Sequence, residues 1–294
     1  TEHLDNPAIK QSSDTGQQAL WDPSHKVFRV LGRFGAEGRR IGMSESKDFI
    51  SWTPPRQVFS ADDQDGPGVQ VYGMGTTLYE GLFIGLPWMF HQNTTEKLDV
   101  ELAVSRDSLN WSRVAERQVF IPNGKAGEWD AGIIFTASQP LQQVGDKVLI
   151  FYSGVQENHG YNALAHTQPG EPDYDKFRNR ATASIGVATI RRDGFVSMDA
   201  GHQEGSLLTH PFTWQKNRTL HVNTDVETGE LTIDCLDESG HALASTASIS
   251  GNHVDRKVPF IGSSLPEPGT RVQLRFRITN GKLYSFWLRP TSAL

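Results

Sequence analysis

Two stretches decide the fold: SKDFISW at 46–52 and SRDSLNW at 105–111, both of the form Ser-x-Asp-x-x-x-Trp. Each closes a run of alternating apolar residues, and Asp48 and Asp107 stand 59 residues apart. The flanking segments repeat as well. ALWDPSHKVFRVLGRF (19–34) leads to RRIGMSESKDFISW (39–52), and TTLYEGLFIGLPWMF (76–90) leads to DVELAVSRDSLNW (99–111). ASQPLQQVGDKVLIFYSG (137–154) leads, after a long loop, to ASIGVATIRRDGF (183–195), which keeps Asp193 but has no Trp after it. Each unit reads strand, short turn, aromatic-rich strand, loop, alternating strand, Asp-containing turn. A repeat of that size with about four strands is the sign of a β-propeller blade. Within the turns, Asp48 and Asp107 are expected to accept bonds from nearby backbone N–H groups, while Trp52 and Trp111 pack across the blade. The pair therefore marks blade rims, not a doubled reactive site.

The bulk composition agrees with a folded, globular protein. The 294 residues are 37% hydrophobic and 10% aromatic, with a formal net charge of −6. Basic residues are scattered, which argues against nucleic acid, since phosphate binding needs clustered Lys and Arg. No apolar run approaches the ~20 residues of a membrane span. Cys235 is the sole cysteine, excluding an intrachain disulfide and a cysteine metal cluster. Nearly every apolar run is four to eight residues long and bounded by Gly, Pro, Asn or Asp, so the class is all-β.

From about residue 205 the texture changes. RVQLRFRI (271–278) alternates strictly, and Asn280-Gly281 gives a hairpin signal into LYSFWL. LHVNTD (220–225), LTIDCLD (231–237) and HALAS (241–245) read as further short strands, the last two joined at DESG (237–240). The expected organisation is propeller blades over 1–204 and a β-sandwich over 205–294.

No Gly-rich phosphate loop, His-Glu-x-x-His or Gly-x-Ser-x-Gly motif is present. In a propeller the innermost strand of each blade lines the central channel, so residues opening each unit matter most. They supply Asp14, Gln70, Tyr72, Glu128, Trp129 and Asp130. Carboxylates from different blades beside an aromatic platform are what glycoside hydrolysis needs: one carboxyl protonates the leaving oxygen, the other activates water or attacks carbon. Glu128 and Asp130 are two apart and on a strand would share a face. Asp22 reads as a turn residue. Trp88, His91, Tyr152 and His159 end second strands near the channel, where they would stack on or hydrogen-bond a sugar. Arg39 and Arg40 open a third strand, and one of them is expected to face inward to pair with Asp14 or an acidic sugar; of the two, Arg40 is taken as the binding residue.

At GRRIGMSESKDFISWTPP, SRDSLNWSR, GEWDAGIIF, LIFYSG and SIGVATIRRDGFVSM the chain resembles the five-bladed propeller proteins related to glycoside hydrolase families 32 and 43. It is similar in particular to a bacterial group, often described as family 32-like, with a C-terminal β-sandwich. That group often carries Asp-Ser-x-Asn before a Trp-Asp dipeptide; here Asp14, Thr15 and Gln17 precede Trp21-Asp22. The resemblance implies three inward carboxylates, with Asp14 as the pKa-tuning Asp and Glu128 as a candidate acid, Asp130 being the alternate. Three repeats fill residues 1 to about 200, so one or two N-terminal blades are missing from a five-bladed plan. A second chain or an N-terminal segment would complete the propeller. Sialidase Asp boxes place Gly two and Trp five residues after the Asp, whereas Trp here comes four after, so that class is disfavoured. The resemblance implies a glycoside hydrolase acting on a plant or algal poly- or oligosaccharide, the alternative being a carbohydrate-binding or assembly propeller without hydrolysis. No cofactor is expected, and no spacing marks ligands for a structural Ca²⁺. The absence of a leader fits a cytoplasmic protein or one whose leader has been removed, and a polysaccharide substrate favours a secreted or periplasmic location.

Overall fold

The computed structural model describes residues 6–14, 16–34, 38–159, 169–170, 183–261 and 266–291. Among them strands dominate, and the only helices are the 3-10 turns Asp63–Asp65 and Ala115–Arg117. The chain forms two compact units, residues 1–142 with 149–189, and residues 143–148 with 190–294.

The first unit is a succession of antiparallel meanders. β1 (Gln18–Asp22), β2 (Val27–Arg33), β3 (Ile41–Ser46) and β4 (Arg56–Phe59) pair in order as one sheet. The plan recurs in β5 (Val69–Tyr79), β6 (Leu82–His91), β7 (Leu98–Val100), β8 (Ala103–Ser105) and β9 (Trp111–Arg113). Here β7 and β8 both pair with β6, as one third strand split at Glu101 and Leu102. β10 (Ile133–Val144), β11 (Lys147–Val155) and β12 (Ser184–Arg191) follow, joined to the second meander through a parallel pair, Ile133 with Leu98.

The opening strands of the three meanders meet. From β1, the Gln18 side chain donates to Met74 O at 3.0 Å and accepts from Thr76 N–H at 3.1 Å, both on β5. Gln139 of β10 donates to Ala19 O on β1 at 3.3 Å. β5 approaches β10 so closely that a Cβ on Gly75 would lie 2.4 Å from Thr136 Oγ1. Between the first two sheets, Leu31, Ile41, Met43, Phe59, Val71, Met74, Met89 and Ala103 form one buried cluster. Each large side chain there contributes about 1.5–3 kcal/mol of burial.

The two Ser-x-Asp turns have one geometry. Asp48 Oδ1 accepts the N–H groups of Ile50 and Ser51 at 2.8 and 2.7 Å and the Ser46 hydroxyl at 2.9 Å. Asp107 Oδ1 accepts those of Leu109 and Asn110 at 2.9 and 2.8 Å and the Ser105 hydroxyl at 3.0 Å. Phe49 and Ser108 take the left-handed conformation at the same place (φ 64° and 56°). Trp111 donates to Ser108 O at 3.0 Å, and its ring fills the space where a Cβ on Gly85 would sit 2.7 Å away.

The second unit is built around one long strand. β13 (Met198–Ala200), β14 (Gly205–Leu208) and β15 (Phe212–Thr213) precede β16 (Arg218–Leu236), and β17 (Ala242–Thr246), β18 (Ile249–Val258), β19 (Phe260–Ile261), β20 (Arg271–Thr279) and β21 (Gly281–Pro290) follow. The first half of β16 pairs with β18 and β21, the second half with β20 and β17. Val222, Val226, Leu231, Ile233 and Cys235 from both halves share one core with Val272, Leu274, Phe276 and Ile278. The sheet is thus folded over on itself. The strict alternation of RVQLRFRI is realised, with its apolar residues buried.

Two local expectations are corrected. LHVNTD and LTIDCLD belong to the single strand β16. Asn280-Gly281 closes no ladder between its neighbours, because β20 and β21 both pair with β16 instead. The physical reason is a crossing of two backbone corners. A Cβ on Gly281 would lie 2.4 Å from Val226 Cγ1, and one on Gly229 would lie 1.8 Å from Thr279 O. Asn280, left-handed at φ 46°, donates its N–H to Gly201 O at 2.8 Å. Left-handed geometry serves a hairpin and a layer-to-layer corner equally.

Candidate functional site

The site is centred on a residue that the sheet register leaves over. Val71 pairs with Met89 and Gly73 pairs with Trp88, so Tyr72 is the extra residue of a β-bulge in β5. Bulges re-aim a side chain and often stand beside functional sites. Gly73 permits this one, since a Cβ there would lie 2.3 Å from Trp88 Cζ3. The Trp88 ring is buried and donates its N–H to Thr136 Oγ1 at 2.8 Å, so it has no room to retreat.

The Tyr72 ring packs against Phe90, Phe135 and the His159 ring at centroid distances of 5.9, 5.5 and 5.0 Å. Two guanidiniums lie against the same ring: Arg33, ending β2, at 4.6 Å and Arg39, two residues before β3, at 5.1 Å. Arg39 is also 5.1 Å from the Phe90 ring. Such contacts contribute about 0.5–2 kcal/mol each. An amide scaffold fixes Arg39: its Nη1 donates to Gln70 Oε1 at 2.8 Å and Gln92 Oε1 at 3.4 Å, and Gln70 Nε2 donates to Gln92 Oε1 at 2.5 Å. Its backbone carbonyl accepts Val71 N–H at 3.2 Å. Arg33 grips Asp14 with both arms, Nε to Oδ1 at 2.9 Å and Nη2 to Oδ2.

These contacts set the charges. The Arg33 hydrogen bonds, helped by its charge and that of Arg39, hold the Asp14 carboxyl below the usual carboxylate range against the cost of desolvation. Asp14 is therefore ionised at neutral pH. His159 Nε2 is 3.0 Å from the Tyr72 hydroxyl. Burial, with Arg39 and Arg33 close by and Glu96 opposing them, lowers the His159 pKa, so its ring is neutral near pH 7.

The structure thus brings Asp14, Tyr72 and His159 together, with Gln70 behind them. Arg33, Gln92, Phe90 and Phe135 complete the group, and the sequence offered no reason to select them. Of the Arg pair, Arg39 makes the contacts to Gln70, Gln92 and Tyr72, while Arg40 is half-buried beside it. Trp88 lies beneath the site as a buried ring. His91 pairs with Asp99 at 2.9 Å. Thr15 lies outside the described residues.

Glu128, Trp129 and Asp130 form a second group in the turn before β10, not on a strand. Glu128 Oε2 accepts Lys125 N–H at 2.7 Å, and Glu128 O accepts Ala131 N–H at 3.2 Å. Asp130 is buried and accepts from the Tyr152 hydroxyl at 3.0 Å. Burial, together with that carboxylate, pushes the Tyr152 pKa up to about 12. Trp129, 40% exposed, stacks on Tyr152 at 5.5 Å and covers Gly154 and Gly186, where a Cβ would lie 2.4 and 2.5 Å from its ring. Gly132 N–H donates to Val155 O at the end of β11, and His159 N–H to Glu96 O. Among the described residues no three His, Cys, Asp or Glu side chains are placed to hold a metal, and no helix is long and apolar enough to cross a membrane.

No family model matches the sequence, and no curated protein matches it. Solved structures similar to the chain include glycoside hydrolases and a phosphorylase. A Bombyx mori GH32 beta-fructofuranosidase is 9% identical at a TM-score of 0.38, over 99% of this chain and 70% of its own. A β-1,2-mannobiose phosphorylase from Listeria innocua is 17% identical at 0.37, over 48% of this chain and 36% of its own. A GH43 arabinoxylan arabinofuranohydrolase from Bacillus subtilis is 7% identical at 0.35, over 93% of this chain and 66% of its own. The chain thus spans about a third of the phosphorylase's length. At these TM-scores the likenesses assign no role to any residue.

Proposed function

We propose that this chain is a carbohydrate-active protein that binds a plant or algal oligosaccharide at the Tyr72 group. The observation that supports it best is the convergence of polar side chains from three meanders on one bulge-presented aromatic ring. An aromatic plane rimmed by Arg, His, amide and carboxylate groups provides apolar contact for a sugar face and directed hydrogen bonds for its hydroxyls. In the hydrolytic form of this reading, Asp14, kept ionised by Arg33, serves as base, nucleophile or charge-stabilising group. It is unsuited to act as the acid. Glu128 supplies the proton to the leaving oxygen once its carboxyl leaves Lys125 N–H, Asp130 is the alternate, and Trp129 offers a second stacking surface.

A second reading, binding without hydrolysis, is favoured by one specific feature: both Asp14 oxygens are held by Arg33, and Glu128 Oε2 is held within its own turn. Incubation with a panel of plant and algal oligosaccharides, following both binding and reducing-end release, separates the two. Hydrolysis predicts reducing-end release by the wild-type chain and its loss by at least about 100-fold in Asp14→Asn. Binding with no release supports the second reading. No binding to any member of the panel contradicts both.

A further inference from the structure

We infer that the Tyr72 site takes a sugar bearing an oxyanion, a uronic-acid unit above all, with the anionic group held by the open guanidinium donors of Arg39. This rests on the carbohydrate reading and names the class of sugar. It follows from which hydrogen-bonding groups are already used. Arg39 spends only Nη1, on Gln70 and Gln92. Among the described residues its Nε and Nη2 have no partner, and Arg39 is half-buried. Among the described residues no carboxylate lies within 4.0 Å of Arg39, whereas Arg33 has Asp14. Arg33 in turn spends Nε and Nη2 on Asp14, leaving Nη1 buried with no partner.

The amide and phenol groups around the ring are already engaged, and the exposed acceptor, Asp14, is charge-compensated by Arg33. Gln70 and Gln92 oxygens accept from Arg39 or from each other, and Tyr72 is bonded to His159. A neutral sugar hydroxyl needs both a donor and an acceptor. An oxyanion needs donors alone, and Arg39 offers Nε and Nη2 with no partner among the described residues. The planar fork of Arg suits a carboxylate bidentately. The fork is also pre-positioned: contacts with the Tyr72 and Phe90 rings, two amides and a backbone bond at its carbonyl hold Arg39 before any ligand arrives. Less side-chain freedom is lost on binding as a result.

The test uses the intact chain and calorimetric titration with oligogalacturonate, oligomannuronate and glucuronoxylo-oligosaccharide, each paired with its carboxyl-reduced counterpart. A sulfated oligosaccharide and inorganic phosphate are added as separate arms. At least one acidic oligosaccharide is expected to bind about tenfold or more tightly than its reduced partner, a difference typical of one charge-assisted bidentate contact. Arg39→Gln is expected to weaken binding of the acidic oligosaccharide about tenfold more than binding of its reduced partner, and Arg39→Lys to keep part of the preference. Circular dichroism and the melting temperature of both variants establish that the fold is retained. Equal binding of acidic and reduced partners overturns the inference and leaves the carbohydrate reading standing. Tight binding of phosphate without sugar preference, or no binding of any sugar, overturns the carbohydrate reading and the inference with it.

Discussion

Gly73→Ala is the sharpest single perturbation, because the bulge that presents Tyr72 depends on the missing side chain. Gly73 does not use a positive φ, so its backbone accepts any L-residue and only the contact is at issue. The new Cβ would lie 2.3, 2.4 and 3.1 Å from Trp88 Cζ3, Cε3 and Cη2, all atoms of one rigid ring. Overpacking a buried site by one methyl costs about 1–3 kcal/mol. Moving the indole also breaks its bond to Thr136, worth about 1 kcal/mol. The sum, about 2–4 kcal/mol, lowers the melting temperature of the first unit by roughly 5–15 °C. Differential scanning calorimetry reads the shift, and Trp fluorescence reports the displaced ring. The same substitution in a Trp88→Leu background should cost less than about 1 kcal/mol, since the clashing ring is gone. An unchanged melting temperature, or an equal cost in both backgrounds, would refute the steric account of the bulge.

Three further outcomes follow from the charges. Asp107→Ala removes an acceptor from two backbone N–H groups and should cost about 1–2 kcal/mol at pH 7. Against the cost of burial, the Asn110 bonds depress the Asp107 pKa, so this stability is present above about pH 4 and lost below it, and the gap between wild type and variant should close in acid melts. His91 has a raised pKa, chiefly through its bond to Asp99 with burial opposing, so its contribution is full below about pH 6.5 and is lost as pH rises through the higher folded value. Melting curves from pH 6 to 9 should fall more steeply in wild type than in His91→Gln, and parallel curves would count against the pair. Arg39→Gln should raise the His159 pKa toward its ordinary value by removing a nearby cation, an NMR titration that needs no ligand.

The rim turns were legible in sequence because every partner lies within three residues: Ser, Asp and the two following N–H groups form a local device, and two copies 59 residues apart repeat it. The alternation of β20 was legible for the same kind of reason, a period of two with one buried face. The Tyr72 bulge was not, since VYGMG shows nothing in its own pattern to reveal a skipped pairing, which is set by Trp88 across the ladder. Arg33 was equally hidden. Its partners are Asp14, 19 residues earlier, and Tyr72 on another sheet. Asn280-Gly281 was misread because local geometry gives the chain reversal but not the strand that receives it. Asp14, Tyr72 and His159 were selected by position alone, as residues at strand openings and ends of successive repeats; an inward guanidinium was expected from Arg39 or Arg40, but the one that grips Asp14 is Arg33.

The most direct test of the central claim is a crystal structure of the chain with a bound oligosaccharide. The account predicts a sugar ring packed on the Tyr72 group, with oxygens within about 2.7–3.2 Å of the open Arg39 nitrogens and of Asp14 or His159. A sugar bound elsewhere on the first unit, with the Tyr72 group filled only by water, contradicts it.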